Sequence, residues 1–269
     1  MDVGRLLRIQ YFNRVAAVLR RDLGCIVLEP LIPHGADIPN RARFLKEFIV
    51  DLKNSEKSAP YQRFNLIAHS LGGLDARYLV SHLDGHQLVA SITTIATPHR
   101  GTTLADWGVS TLGQRLRIEA MLHYAGIDAK VFYDLTTASQ REFNSRTPNH
   151  KNVQYFSFGA SKPPVHIPFV LRPSHAYIAS REGDNDGLVS VISAKWGEYL
   201  GTIAADHYEQ VDWRLPGSGD CHFDASVFFR DRFELWQSAK QQQQDYQSFN
   251  SPTKSINTDG ASPKATSSI

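Results

Sequence analysis

One short stretch, residues 63–77, constrains the fold of this chain more than any other. It reads Arg-Phe-Asn-Leu-Ile-Ala-His-Ser-Leu-Gly-Gly-Leu-Asp-Ala-Arg, so an apolar strand pattern runs into Ser70 and a helical pattern starts directly after it. Such a turn lifts the serine hydroxyl clear of a sheet and places it at a helix N-terminus, where unpaired N–H groups favour negative charge. The backbones then need small residues two positions either side, and Ala68 and Gly72 supply them. The stretch predicts either a nucleophilic serine or a plain Ser-Gly turn of a parallel α/β protein.

Strand and helix patterns alternate on both sides of this turn. We predict helices over 5–23, 45–54, 71–83, 134–144 and 225–237, and strands over 25–29, 64–68, 88–96, 153–159 and 188–192. The Pro-rich segment 163–174 is predicted to be a surface loop. This alternation is typical of βαβ units with a parallel sheet, whose ligands bind at the carboxyl ends of the strands. Ser70 and the loop 97–101 are both expected at that edge.

Composition limits the classes of function. The 269 residues, 42% of them hydrophobic, predict one α/β domain over 1–237 followed by a disordered polar tail over 238–269. A net charge of +2 does not indicate a nucleic-acid partner. Without an apolar run of about 18 residues or a signal peptide, we expect an intracellular protein. The histidines lack the spacing of a zinc site, a Cys25–Cys221 disulfide is not expected, and no metal or cofactor is predicted.

A serine nucleophile needs a base within hydrogen-bond reach and an acid that orients the base. In sheets with this serine turn, the chain order is serine, acid, histidine. Asp186 lies in a turn before an apolar segment and is the candidate acid, with Asp184 as the alternative. His207, in the polar loop Ala-Asp-His-Tyr-Glu, is the candidate base. The alternative interpretation is that both carboxylates form simple Asx turns and that His207 faces solvent.

Four segments carry a resemblance to a known family. They are Ala-His-Ser-Leu-Gly-Gly-Leu-Asp-Ala-Arg-Tyr at 68–78, Ile-Thr-Thr-Ile-Ala-Thr-Pro-His-Arg-Gly-Thr at 92–102, Asn-Asp-Gly-Leu-Val at 185–189, and Asp-His at 206–207. Together they resemble the triacylglycerol lipases of the bacterial true-lipase type and their fungal relatives. The resemblance implies an α/β-hydrolase fold, a mostly parallel sheet flanked by helices, with Ser70 as nucleophile, Asp186 as acid and His207 as base. It also implies an acylglycerol or other lipid ester as substrate.

Residues 104–152 are predicted to form either a helical lid or a crossover helix with surface loops. If Leu112, Leu116, Met121 and Leu122 line the inner face of a lid, opening it would expose an apolar surface. Such a surface predicts peripheral contact with a membrane or lipid droplet.

Two features that the resemblance implies do not match this sequence. In the family, a strand before the serine ends in a His-Gly loop that supplies one oxyanion donor, but His34-Gly35 falls after what aligns as the next strand. Leu71 N–H is therefore the only donor that we assign, and we expect an N-terminally truncated sheet, low solubility and weak hydrolysis of emulsified triolein.

The family also has calcium near the histidine. Glu209 matches an acidic ligand position, but Trp213 stands where an amide ligand is expected, so calcium is not predicted.

Three functions are therefore open from the sequence. The first is hydrolysis of acylglycerol esters. The second is an esterase or lipid deacylase with another substrate, because the three reactive residues set the reaction and not the acyl chain. The third is a non-catalytic relative that uses the same fold for binding.

Overall fold

A computed structural model describes residues 11–12, 14–24, 26–33, 36–55, 63–110, 129–217 and 223–232. The helices are α1 (Val15–Leu23), α2 (Ile38–Lys53), α3 (Gly72–His82), α4 (Thr103–Ser110), α5 (Ala129–Asp134), α6 (Thr137–Arg146), α7 (Arg172–Glu182), α8 (Val191–Ala194) and α9 (225–232). The strands are β1 (Phe64–His69), β2 (Val89–Ile95), β3 (Gln154–Ala160) and β4 (Glu198–Ile203). Short 3₁₀ turns cover Gly85–Gln87, Pro164–His166, Phe169–Leu171 and Glu209–Val211.

The four strands form one parallel sheet in the order β1-β2-β3-β4. His69 at the end of β1 is in register with Ile95 at the end of β2, so the residues after these strands meet at one edge. Ser70 and the loop 97–101 both lie there, as the sequence predicts. The α/β fold with helices flanking a parallel sheet is confirmed.

Helices cover both faces of the sheet. On one face, α2 and α3 pack against β1 and β2 through buried aliphatic side chains, among them Leu45, Ile49, Leu79, Val80 and Ile92. On the other face, α1 and α9 pack against β2, β3 and β4, through Val15, Leu19, Ile95, Phe158, Ile203 and Phe229 among others. Gly24 ends α1 in the left-handed conformation, as predicted from its position after the helical pattern.

Two predicted strands are wrong in their described parts. Residues 26–29 have no regular secondary structure and lie outside the sheet, and the side chain of Arg20 donates to the Val27 carbonyl. Prolines at 30 and 33 follow directly, and proline cannot donate to a sheet. Of residues 188–192, the first three form a bend and an isolated bridge, and the last two begin α8. The Ser190 hydroxyl caps that helix by accepting from Ser193 N–H. A short apolar run does not distinguish a strand from a buried helix segment.

The segment 163–174 is also less irregular than predicted, since it holds two 3₁₀ turns and the start of α7. Within the predicted lid, the structure describes α4, α5 and α6. The apolar residues Leu112, Leu116, Met121 and Leu122 lie outside the described residues, and so do His34-Gly35, both cysteines and the tail 238–269. Among the described residues, no helix has the length and apolar character needed to cross a membrane.

Candidate active site

The turn after β1 holds Ser70 in a conformation that few residues adopt. Its φ is 52°, in the left-handed region, and its N–H donates to the Ile95 carbonyl at 3.0 Å. The Thr97 hydroxyl donates to the Ser70 carbonyl at 2.7 Å, which ties the serine turn to the loop after β2. Strain of this kind persists only where the surrounding structure determines it, and it is concentrated at functional sites.

The structure brings Ser70, His207 and Asp186 together. Ser70 Oγ lies 3.0 Å from His207 Nε2, and His207 Nδ1 lies 2.8 Å from Asp186 Oδ2. The His207 backbone N–H also donates to the Asp186 carbonyl at 3.0 Å, so the two loops are joined by main chain as well. Asp184, the alternative acid, is exposed, and it is Asp186 whose carboxylate contacts His207.

Asp186 has four donors around a buried carboxylate. Oδ1 accepts from the N–H groups of Leu188 and Val189, and Oδ2 accepts from Gln210 Nε2 at 2.8 Å as well as facing His207. Burial alone would raise the pKa of Asp186. The charge that His207 can carry and the hydrogen bonds outweigh it and lower the pKa, which keeps Asp186 ionised.

The sequence patterns assign no role to three residues of this site, Tyr11, His69 and Gln210. His69 nevertheless belongs to the serine motif. The His69 ring packs against the His207 ring, with 4.5 Å between centroids, and the Tyr11 hydroxyl lies 2.7 Å from His69 Nδ1. Burial, with repulsion from His207, lowers the pKa of His69 to about 3, so its ring is neutral. Gln210 donates to Asp186. Its position one turn after His207 is the signal that could have identified it.

Comparisons with known proteins identify the family of this chain. Residues 31–160 match the family model of the PGAP1-like alpha/beta domain. The chain is 37% identical over 229 residues to triacylglycerol lipase 2 of Saccharomyces cerevisiae, an alignment that covers 84% of this chain and 68% of the yeast protein. The chain belongs to the triacylglycerol lipase family. It is also 34% identical to a triacylglycerol lipase of Pseudomonas fragi over 96 residues, which are 36% of this chain and 31% of that protein.

Solved lipases and esterases share the fold of this family member. A metagenomic carboxyl esterase has a TM-score of 0.68 at 19% identity, covering 82% of this chain and 69% of the esterase. The Staphylococcus hyicus lipase has a TM-score of 0.62 at 18% identity, covering 82% of this chain and 87% of the lipase. At these identities the likeness concerns the fold, which is the α/β-hydrolase fold.

Leu71 is the N-cap residue of α3 and directly follows Ser70. Its N–H is one of the first N–H groups of the helix, which have no partner within it, so it remains the candidate oxyanion donor. We assign no second donor, and the His34-Gly35 segment lies outside the described residues.

The residues near His207 do not fit the calcium ion that the family resemblance implies. Glu209 is the candidate acidic ligand, but both of its carboxylate oxygens lie 2.7 Å from Lys162 Nζ. Trp213 offers no oxygen from its side chain, and its Nε1–H donates to the Tyr11 carbonyl. Over the described ranges, no group of three or more His, Cys, Asp or Glu residues could hold a metal ion.

Proposed function

We propose that this chain hydrolyses the carboxylic esters of acylglycerols, with Ser70 as nucleophile, His207 as general base and Asp186 as the acid that orients the base. The observation that carries the proposal is the continuous contact from Ser70 Oγ to His207 Nε2 at 3.0 Å and from His207 Nδ1 to Asp186 Oδ2 at 2.8 Å. Membership of the triacylglycerol lipase family supports acylglycerols as the substrate class.

In this mechanism, Ser70 Oγ attacks the ester carbonyl while His207 Nε2 takes the hydroxyl proton. The negative charge on the carbonyl oxygen is stabilised by the Leu71 N–H and the N-terminus of α3. His207 then protonates the leaving alcohol, and an acyl-enzyme remains on Ser70. Water, activated by His207, releases the fatty acid and restores the serine. Asp186 stabilises the imidazolium in both halves of the cycle.

We further propose that the substrate is reached at a lipid surface. Three apolar side chains between β3 and α7 support this proposal: Val165, Phe169 and Val170 are 69%, 64% and 69% exposed. The Arg172 guanidinium lies 4.3 Å from the Phe169 ring centroid, which adds a positive charge beside them. This segment adjoins the Asp186 loop, because Leu171 packs next to Gly187. An apolar and basic segment next to the loop of Asp186 suits the interface of a lipid layer.

The decisive experiment labels the serine. An active-site-directed phosphonate should react with Ser70 in the wild type, because a hydroxyl next to a base attacks phosphorus much faster than other serines do. Ser70→Ala should take up no label and should hydrolyse neither triolein nor a soluble short-chain ester. Folded wild type that takes up no phosphonate would contradict the proposal and favour the non-catalytic alternative. Hydrolysis of the soluble ester without hydrolysis of triolein would favour an esterase or deacylase of another substrate.

A further inference from the structure

A buried ion pair holds the turn that carries His207. Lys162, just after β3, places Nζ 2.7 Å from both Oε1 and Oε2 of Glu209, which lies two residues after His207. The side chains of Lys162 and Glu209 are only 2% and 1% exposed. A buried carboxylate is strongly unfavourable without a positive partner, so the position of Glu209 depends on the lysine.

Glu209 in turn contacts the residue directly before His207. Its Oε2 accepts from the Asp206 N–H at 3.0 Å, and its own N–H donates to Asp206 Oδ1 at 3.1 Å. The next residue, Gln210, donates to Asp186 Oδ2 and to the Asp206 carbonyl. A displacement of Glu209 would therefore move Asp206, directly before His207, and Gln210, which contacts Asp186.

Lys162 is itself fixed to the loop that carries the acid. Its backbone N–H donates to the Asn185 carbonyl at 3.3 Å, one residue before Asp186. Its carbonyl lies 3.1 Å from His175 Nε2, and Asn185 Nδ2 donates to the His175 carbonyl. One lysine thus joins the end of β3, the acid loop and the histidine turn.

We propose that Lys162 is a positioning residue: it is the resident cation of the His207 turn and keeps His207 aligned between Ser70 and Asp186 without a bound metal ion. The inference rests on the proposed roles of Ser70 and His207. It assigns to an ammonium group the charge that a calcium ion would otherwise supply to Glu209. Lys162 touches no reacting atom and acts through Glu209 and the turn.

The test is a double-mutant cycle with Lys162→Met, Glu209→Gln and the combined variant. Each single change removes one charge of the buried pair and leaves the other, whereas the double change replaces both by neutral groups of volume similar to the originals. The amide oxygen of Glu209→Gln can still accept from Asp206 N–H. We expect Lys162→Met to lower kcat for a soluble ester by about tenfold or more, with KM within about twofold, because alignment is lost and ester binding is not. The double variant should recover most of that loss. Glu142→Gln, in the exposed Arg146–Glu142 pair, is the matched control and should change neither constant.

Metal dependence provides a readout besides activity. The thermal midpoint and kcat of the wild type should be the same in EDTA and in calcium chloride. A wild type whose thermal midpoint and kcat both fall in EDTA and recover with calcium would overturn the proposal. An unchanged kcat in Lys162→Met would also overturn it. If Lys162→Met does not fold, the activities of Glu209→Gln and the double variant are compared instead. A double variant that is no more active than Glu209→Gln overturns the proposal. Phosphonate labelling of the wild type separates the two ideas, because a labelled wild type with an unaffected Lys162→Met refutes only the role of Lys162.

Discussion

At the scale of single residues, position 186 requires a charged carboxylate. All four groups around its oxygens are donors or act as donors: the N–H groups of Leu188 and Val189, the Gln210 amide and His207 Nδ1. An asparagine has only one acceptor oxygen, so its NH₂ group would face two of these donors. If the NH₂ group takes the place of Oδ2, it faces Gln210 and His207. His207 would then expose the wrong tautomer to Ser70.

We therefore expect Asp186→Asn to lower kcat for a soluble ester by about 10⁴-fold while KM changes little. Asp184→Asn is the matched control, because Asp184 is exposed and lies in the same loop, and its kcat should stay within about twofold of the wild type. Initial rates over a range of ester concentrations measure both constants. The reverse ranking of the two variants would show that the acid has been assigned to the wrong carboxylate.

At the scale of elements, the junction of β1 and α3 depends on Gly73 more than on Gly72. A Cβ on Gly73 would clash with Thr97 Oγ1 and would lie 2.8 Å from Thr94 Cγ2. A Cβ on Gly72 would meet only the Ala68 Cβ, at an ordinary 3.8 Å. Displacing Thr97 would also break its hydrogen bond to the Ser70 carbonyl, which helps to hold the strained turn.

Gly73→Ala should therefore lower the free energy of unfolding by about 1–3 kcal/mol and slow phosphonate labelling of Ser70. Gly72→Ala should be neutral or stabilising by up to about 1 kcal/mol, because alanine favours the helix. Urea unfolding and labelling rates of the two variants provide the comparison. Equal losses in both variants would mean that the turn can relax around Thr97.

The same elements show what the sequence can and cannot predict. Ser70, His207 and Asp186 follow from local motifs in a fixed chain order, and the structure brings all three together. Partners far apart in the chain leave no local pattern. Lys162 and Glu209 are separated by 47 residues, and no periodicity connects them. The sequence does not predict β4, because this strand, at one end of the sheet formed by the described residues, has the mixed sequence Glu-Tyr-Leu-Gly-Thr-Ile without a clear apolar run.

For the molecule as a whole, a segment with exposed apolar side chains adjoins the loop that carries Asp186. Phe169 and Val170 lie just before Leu171, which contacts the loop of Asp186. In the proposed function, a lipid layer covers these side chains and presents ester bonds to Ser70. Binding to the layer and turnover of a soluble ester are then separable properties, because Phe169 and Val170 contact neither Ser70 nor His207 in the proposed mechanism.

The double variant Phe169→Ser/Val170→Ser should weaken binding to phospholipid-coated triolein droplets by roughly tenfold or more, since it removes apolar area that the lipid would bury. Hydrolysis of emulsified triolein should fall in parallel, and hydrolysis of a soluble short-chain ester should be unchanged. Val227→Ser is the control, because Val227 is an exposed aliphatic residue on α9, a helix that packs against the sheet through Ala225 and Phe229. Droplet flotation measures binding. Unchanged flotation and triolein hydrolysis in the double variant would show that another part of the molecule meets the lipid.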